Sequence, residues 1–363
     1  MHKYKNVALL TGGGDCPGLN AVIRSVVKTG WSNGIKMWGI KNGFGGLVEN
    51  QISEMKPTDI SGIIHRGGTI LGTTNRDNPF NYPVMRGNEI VYEDMSAKAV
   101  SNLAEKNIEA LIIIGGDGSL HIADDLRVKY NVPIVAVPKT IDNDLPETER
   151  TFGFDTAVSI ATEALDRLHT TAESHHRVMI LEVMGRYAGW IALHAGIAGG
   201  ADCILIPEIP FTIEAIINKI EGRKKQGKLF SIIVIAEGAF PVGGQMAVAK
   251  IVEGSAEKIR LGGIGNRLAD IIEEKGKLET RCTVLGHLQR GGSPTAFDRV
   301  LSTRYGVAAV EAIINGNVGC MVALKQDRIV CVPIERVVGV PYNVPQDNEL
   351  IKVGRSIGVS FGD

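Results

Sequence analysis

The sequence predicts an α/β protein with doubly wound, mainly parallel sheets, and three observations carry that prediction. Short apolar runs alternate along the chain with longer stretches of helical periodicity, the order that parallel βαβ units require. Several of the apolar runs end in glycine-rich or polar loops, the places where open α/β sheets hold their ligands. The chain has 363 residues, 44% of them hydrophobic, enough for two ordinary domains with a common or adjoining core.

In chain order, residues 6–11 read as a strand, followed by Gly12-Gly13-Gly14-Asp15-Cys16-Pro17-Gly18 and an amphipathic helix through about Lys28. Residues 36–40 are the second strand of that βαβ unit. A glycine-broken polar loop runs from Gly67 to Pro79. A helix over 96–106 leads into a strand over 110–114, and a helix over 120–130 leads into a strand over 133–137. Helical and strand patterns then alternate over 154–174, 177–183, 187–198, 201–207, 213–225 and 231–236. A helix from about Ser255 to Glu274, a strand over 280–285 and a long helix over 295–315 come next, and the last forty or so residues read as Val-rich strands and turns. No low-complexity linker separates domains, so composition does not locate a boundary.

Lysine plus arginine nearly balance aspartate plus glutamate, leaving a net charge of −1. No global field therefore draws in nucleic acid or a membrane surface, and an anionic substrate needs a local cationic cluster. Cys16, Cys203, Cys282, Cys320 and Cys331 are widely spaced and lack metal-ligand spacing, which predicts reduced core residues without disulfides or structural zinc. No secretory signal or membrane-length apolar run is visible, so a cytoplasmic protein is expected.

The chemistry concentrates in two loops. After the strand over 133–137 comes Pro138-Lys139-Thr140-Ile141-Asp142-Asn143-Asp144, with two carboxylates one residue apart at a strand's C-terminal end. Asp142 is the candidate general base: an alcohol hydroxyl is too weakly acidic to attack phosphorus without a carboxylate to take its proton. The competing use of Asp142 or Asp144 is to cap the following turn. Thr140 can bond the substrate or moving phosphoryl group, or its own backbone. Upstream, Gly115-Gly116-Asp117-Gly118-Ser119 opens a helix, and its side-chain-free backbone lets phosphate oxygens approach N–H groups. Asp117 is the candidate metal ligand, Mg²⁺ being the ion; its alternative is to N-cap the helix. Together the loops suggest phosphoryl transfer to a hydroxyl.

Arg177 and Arg186 flank one buried strand and lie roughly 27–30 Å apart if it is fully extended. They should therefore serve different sites, or one must act across a subunit interface.

Gly-Gly-Asp-Gly-Ser, then Pro-Lys-Thr-Ile-Asp-Asn-Asp, then Met184-Gly185-Arg186 and Gly286-His287-Leu288-Gln289-Arg290-Gly291-Gly292, in that order, resemble the phosphofructokinase family from about Val7 to at least Arg304. The resemblance implies two similar α/β domains in the phosphofructokinase fold, with a chain that crosses between them more than once. On it we place a nucleotide-binding domain at 1–153 with 289–339, and a sugar-phosphate domain at 154–288 with 340–363. It implies a donor site at Gly14, Arg76, Gly116, Gly118, Ser119 and Lys139, with Phe44 near the nucleotide. Bland alternatives are a solvated Arg76 and a buried Phe44. It also implies a fructose 6-phosphate site lined by Thr140, Asp142, Asp144, Met184, Gly185, Arg186, Glu237, His287 and Arg290, with Arg177 and Arg281 reaching into a neighbouring subunit's site. Arg186 would stabilise the transferring phosphoryl group, His287 and Arg290 the 6-phosphate, and Glu237 a sugar hydroxyl.

Gly118 resembles the small residue of ATP-using relatives, whereas Lys139 stands where pyrophosphate users carry lysine. The combination also resembles a subgroup of ATP-using bacterial enzymes. The expectation is phosphorylation of fructose 6-phosphate at the 1-hydroxyl by MgATP in a homotetramer, with pyrophosphate as the alternative donor. Arg24, Lys28 and Lys228 stand where relatives bind effectors, or form an ordinary solvated basic face.

Overall fold

A computed structural model describes residues 3–251 and 259–363 of the chain. Strands β1 (Asn6–Thr11), β2 (Lys36–Ile40) and β3 (Ile52–Met55) come with helices α1 (Leu19–Ser32) and α2 (Gly43–Val48). The hairpin β4 (Tyr82–Arg86) and β5 (Glu89–Glu93) is followed by α3 (Ser96–Glu105), β6 (Ala110–Gly115), α4 (Asp117–Tyr130) and β7 (Ile134–Pro138). Next come α5 (Phe154–His175), β8 (Val178–Val183), α6 (Trp190–Ala198), β9 (Cys203–Leu205), α7 (Ile213–Lys225) and β10 (Ser231–Ala236). The pair β11 (Val248–Ile251) and β12 (Ile259–Leu261) precedes α8 (Ile264–Gly276), β13 (Thr280–Val284) and a 3-10 turn at Gly286–Arg290. The chain closes with α9 (Ala296–Ile314), β14 (Cys320–Lys325), β15 (Arg328–Pro333) and α10 (Glu349–Ser356).

The elements build two main sheets. The larger has the order β15-β14-β7-β6-β1-β2-β3, and its two edge strands alone run antiparallel to their neighbours. The smaller has the order β13-β8-β10-β9 and is parallel throughout. Central strands β6, β8 and β10 are buried along their whole length, which is why they are continuous apolar runs rather than alternating ones. One hydrophobic core is continuous from Leu9 and Ile112 on the large sheet, through α5 and α9, to Leu181 and Ile232 on the small one. Two further clusters cover the outer faces.

The order of strands decides where ligands can go. The chain moves outward from β1 to β2 on one side and returns to β6 and β7 on the other, so the loops after β1 and β6 diverge around a crevice. In the small sheet the same reversal separates the loops after β8 and β13. A crevice of this kind is the usual ligand position in doubly wound sheets.

Some expectations need correction. The helix expected from Ser255 has a start that lies outside the described residues; the described chain is strand at 259–261, and the helix begins at Ile264. Gly262 (φ 142°) and Gly263 (φ 85°) take left-handed backbone between the two, which prevents one continuous helix. The C-terminal region, read as strands and turns, also contains α10, capped by Asn348, whose side chain accepts from the Leu350 N–H. The helix has only eight residues, two turns, which is too short for its apolar spacing to mark it. α4 starts at Asp117 rather than Leu120, and α6 at Trp190 rather than Tyr187. Cys331 is exposed, unlike the buried Cys16, Cys203 and Cys320, and all five thiols are free. Among the described residues no helix is long and apolar enough to cross a membrane.

Candidate active site

The loops at the two crevices line one cavity of roughly 410 Å³. On the large-sheet side, Gly12 N–H donates to Ile114 O (2.9 Å) and Gly13 N–H to Thr74 O (3.0 Å), which fixes the loop after β1 against both β6 and the 73–78 loop. A Cβ on Gly12 would lie 2.5 Å from Ser119 Oγ, so the loops after β1 and β6 close on each other around that hydroxyl. Ser119 is therefore a packed floor residue of the site, 5% exposed.

Two cations hold the carbonyls of the first loop. Lys139 Nζ donates to Gly14 O at 2.6 Å, and Arg290, from the 3-10 turn of the other half, donates to Asp15 O at 3.2 Å. A Cβ on Gly14 would stand 2.8 Å from the Arg290 guanidinium, so the two halves of the chain meet closely at this glycine. Arg76 lies in the 73–78 loop, its N–H bonded to Thr74 Oγ1, and it lines the cavity. Phe44 also lines it but is 2% exposed within α2 and packs in the outer core.

Asp117 is the first residue of α4, whose N-cap is Gly116 with no side-chain cap bond. The capping alternative is thereby removed. The Asp117 carboxylate instead accepts from Gly339 N–H at 3.2 Å and lies 3.4 Å from His121 Nδ1, while still facing the cavity.

The 140–144 loop is wired from behind. Thr140 Oγ1 accepts from Asp142 N–H at 3.0 Å and donates to Asp142 Oδ2 at 3.4 Å, so the hydroxyl orients the carboxylate. Thr151 donates to Thr140 O (2.8 Å) and, from its N–H, to Asn143 Oδ1 (2.9 Å), holding Asn143 in left-handed backbone at φ 52°. Asp142 is 4% exposed and lines the cavity beside Asp144. Burial, and then the Asp142 carboxylate, push Asp144 up to about 7.

On the small-sheet side, the turn after β8 has Gly185 at φ 144°, where a Cβ would lie 2.5 Å from Ala188 O, and Arg186 in left-handed backbone at φ 53°. Arg186 N–H donates to Glu237 Oε1 at 3.1 Å, and Met184 N–H donates to Gln289 Oε1 at 2.7 Å. The turn is thus pinned to the ends of both β10 and β13. Burial, and then Asp142, raise Glu237 to about 7. Met184, Arg186, Glu237, His287 and Arg290 all line the cavity.

Most of the predicted residues meet here. Gly185 contributes backbone geometry rather than lining. Arg177 and Arg281 do not reach the cavity: they sit at the opposite end of β8 and β13, in ion pairs with Glu279 and Glu273. Sequence reasoning missed Gln289, Asn143 and Thr151 as supports, and Asp15 and Asp77 as lining residues. The signal available for Gln289 and Asn143 was their place inside motifs; Thr151 gave none.

Two doubly wound sheets meeting at their switch points, with glycine loops and cations around one cavity, define an α/β protein suited to phosphorylated small molecules. The family profile described as Phosphofructokinase matches residues 6–313, and the chain belongs to that family. It is 54% identical over 100% of both chains to ATP-dependent 6-phosphofructokinase 2 of Clostridium perfringens. It is also 50% identical to pyrophosphate–fructose 6-phosphate 1-phosphotransferase of Streptomyces coelicolor, covering 90% of this chain and 93% of that one. Among solved structures, phosphofructokinase from Saccharomyces cerevisiae superposes with a TM-score of 0.76 at 31% identity, over 92% of this chain and 45% of the yeast one. The chain therefore spans less than half of the yeast subunit and the full length of the clostridial protein.

Proposed function

We propose that the protein is a kinase that phosphorylates fructose 6-phosphate at its 1-hydroxyl with ATP, giving fructose 1,6-bisphosphate and ADP. The observation that carries this reading is the position of the Asp142 loop. It lines the cavity together with a glycine-and-lysine set (Gly14, Gly116, Gly118, Lys139) and an arginine-and-histidine set (Arg186, His287, Arg290). A donor's phosphates suit the first set and a sugar phosphate the second, which would bring the carboxylate within reach of the acceptor hydroxyl.

In this reading Asp142, oriented by Thr140, takes the proton of the 1-hydroxyl as the bond to phosphorus forms. Arg186 and Arg76 offset charge on the transferring phosphoryl group, and Lys139 attracts the terminal phosphates. Arg290 and His287 hold the 6-phosphate, with Met184 and the Gly185 turn shaping the pocket. Glu237 and Asp144 receive sugar hydroxyls. Asp117 faces the cavity with a carboxylate that does not cap its own helix, which suits Mg²⁺, an ion usually held by one or two carboxylates plus substrate phosphates. Bound there with the nucleotide, Mg²⁺ would neutralise charge on the donor phosphates.

We further assign the nucleotide side to 1–153 with 289–339 and the sugar-phosphate side to 154–288 with 340–363. The assembly is a cytoplasmic homotetramer in which Arg177 and Arg281 complete a neighbour's sugar-phosphate site. Their position away from the chain's own cavity supports that assignment.

The test is formation of fructose 1,6-bisphosphate from fructose 6-phosphate and Mg²⁺ with ATP and pyrophosphate supplied separately. Turnover with ATP is expected, Gly118 leaving room for the nucleotide. Turnover with pyrophosphate alone would overturn the donor assignment and make Lys139 the deciding residue.

A further inference from the structure

Arg177 and Arg281 are held by acids of their own chain in an arrangement that resembles a phosphate site. Glu279 Oε1 lies 2.7 Å from Arg177 and 2.8 Å from Arg281, so two guanidinium groups converge on one carboxylate oxygen. Arg281 also contacts Glu273 at 2.8 Å. The strand register creates the convergence: Thr280 pairs with Val178 and Arg281 with Met179, which brings the residues just before the two strands, Glu279 and Arg177, side by side. Val178 N–H donates to Glu279 O at 3.0 Å and locks that neighbourhood. Hydrogen bonding from Arg177 holds the Glu279 carboxyl below its usual range, so it is anionic at neutral pH. Arg177 Nε is buried and has no hydrogen-bond partner among the described residues, leaving the guanidinium a donor that Glu279 does not use.

We propose that Glu279 is an internal competitor for the phosphate that Arg177 and Arg281 bind. The inference rests on reading those two arginines as ligands of a neighbouring subunit's sugar phosphate. One oxygen position between two guanidinium groups cannot hold both a carboxylate and a phosphate oxygen, so a sugar phosphate that bridges the two arginines there displaces Glu279. The displacement is feasible because Glu279 and Arg281 are about half exposed (side chains 45% and 52%), where solvent and salt weaken an ion pair. A phosphate monoester carries more negative charge and offers three acceptor oxygens to the same fork of donors.

Glu279 then sets the sugar-phosphate concentration at which the site fills. If the arginines spend about nine-tenths of their time on Glu279, the apparent dissociation constant is raised about tenfold over that of the released pair.

The experiment measures fructose 6-phosphate saturation of the full-length assembly at saturating ATP for the wild type, Glu279→Gln, Arg281→Ala and the double variant. Titration of fructose 6-phosphate without donor gives binding independently of turnover. Glu279→Gln keeps the side-chain volume and removes the charge. The expected result is a three- to tenfold fall, roughly, in the half-saturating concentration with kcat changed less than about twofold. In the Arg281→Ala background that gain should shrink, because half of the contested pair is gone. Glu273→Gln, at a carboxylate that meets Arg281 and the Thr280 N–H but not Arg177, should act in the same direction and less.

An unchanged or increased half-saturating concentration in Glu279→Gln, with Arg281→Ala weakening binding, would overturn the competitor role and leave Glu279 as a strut for the arginines. If Arg281→Ala itself leaves binding unchanged, the shared-site reading fails, and the competitor role fails with it.

Discussion

Gln289 Oε1 accepts the Met184 N–H at 2.7 Å, tying the 3-10 turn that carries His287 and Arg290 to the turn that carries Arg186. The residues are 105 positions apart, and Gln289 is fully buried. Two elements that would each bind part of a sugar phosphate are thereby fixed relative to one another. Gln289→Met keeps the length and removes the acceptor, leaving a buried N–H unsatisfied at a cost of about 1–3 kcal/mol. The half-saturating fructose 6-phosphate concentration should rise at least about fivefold, since a shift of 1.4 kcal/mol is tenfold in affinity, while that of ATP changes little. Equal effects on both substrates would mean that the bond supports the fold and not the sugar site.

Asp142→Asn should leave both substrates bound and lower kcat by about 10²–10⁴-fold, the range for loss of a positioned general base. Thr140→Val should act more weakly in the same direction, because it removes the hydroxyl that orients the carboxylate without removing the carboxylate. Steady-state kinetics with both variants tests this. A Thr140→Val loss as large as that of Asp142→Asn would assign the hydroxyl a direct role on substrate.

Glu237 supplies a prediction in pH. Its carboxyl is raised from an ordinary 4.5 to about 7, by burial first and by Asp142 second, so the folded protein without substrate favours the protonated form. The stability this provides is complete below the unfolded value and is lost as pH rises through the folded one. Melting temperature of the substrate-free protein should therefore decline between about pH 4.5 and 7, and Glu237→Gln should flatten that part of the profile. An unaltered slope in the variant would place the titration on Asp144 or Asp298 instead, which burial first raises to about 7 and about 6.

What the sequence revealed was set by how local its cause is. Strands β1, β6, β8 and β10 were legible because a strand buried on both faces must be a continuous apolar run. The hairpin β4–β5 carried a readable sign in Gly87-Asn88, a two-residue turn with Gly87 at φ 63°, that the alternation pattern alone did not expose. α2 did not declare itself, since Gly43-Phe44-Gly45-Gly46 argues against a helix, and the close packing of Gly46 on Lys41 O is visible only in three dimensions. Within the site, Asp142, Asp117 and Arg186 lie in motifs whose chemistry is local. Thr151 does not, because its work is defined by Asn143 and Thr140 across a turn. The separation of Arg177 from Arg186 was available from strand length, but the capture of Arg177 and Arg281 by Glu279 depends on register between β8 and β13, which no local pattern specifies.

Asp298 joins the starts of the two helices that follow the proposed crossings between the domains. Its Oδ1 accepts from Gly153 N–H at 3.0 Å, and its Oδ2 from Thr156 N–H at 2.8 Å and Thr156 Oγ1 at 2.5 Å, so one carboxylate of α9 satisfies the exposed donors at the start of α5. Thr295 returns the contact, accepting from Asp298 N–H at 3.2 Å as the N-cap of α9 and donating to Asp155 at 2.6 Å. All of Asp298 is buried. Asp298→Asn keeps one acceptor oxygen and turns its NH₂ toward a donor, whereas Asp298→Ala leaves every one of these donors unmet, so the alanine variant should be the less stable of the two. Each should lose about 2–4 kcal/mol on equilibrium unfolding, the range for two or more buried donors deprived of a charged acceptor. Losing the reciprocal caps also loosens the angle between α5 and α9, and with it the distance between Asp142 and the Arg186 turn. The half-saturating concentration of fructose 6-phosphate should rise in the fraction that stays folded, and unchanged kinetics beside a clear loss of stability would show that the caps hold the helices without setting the cavity.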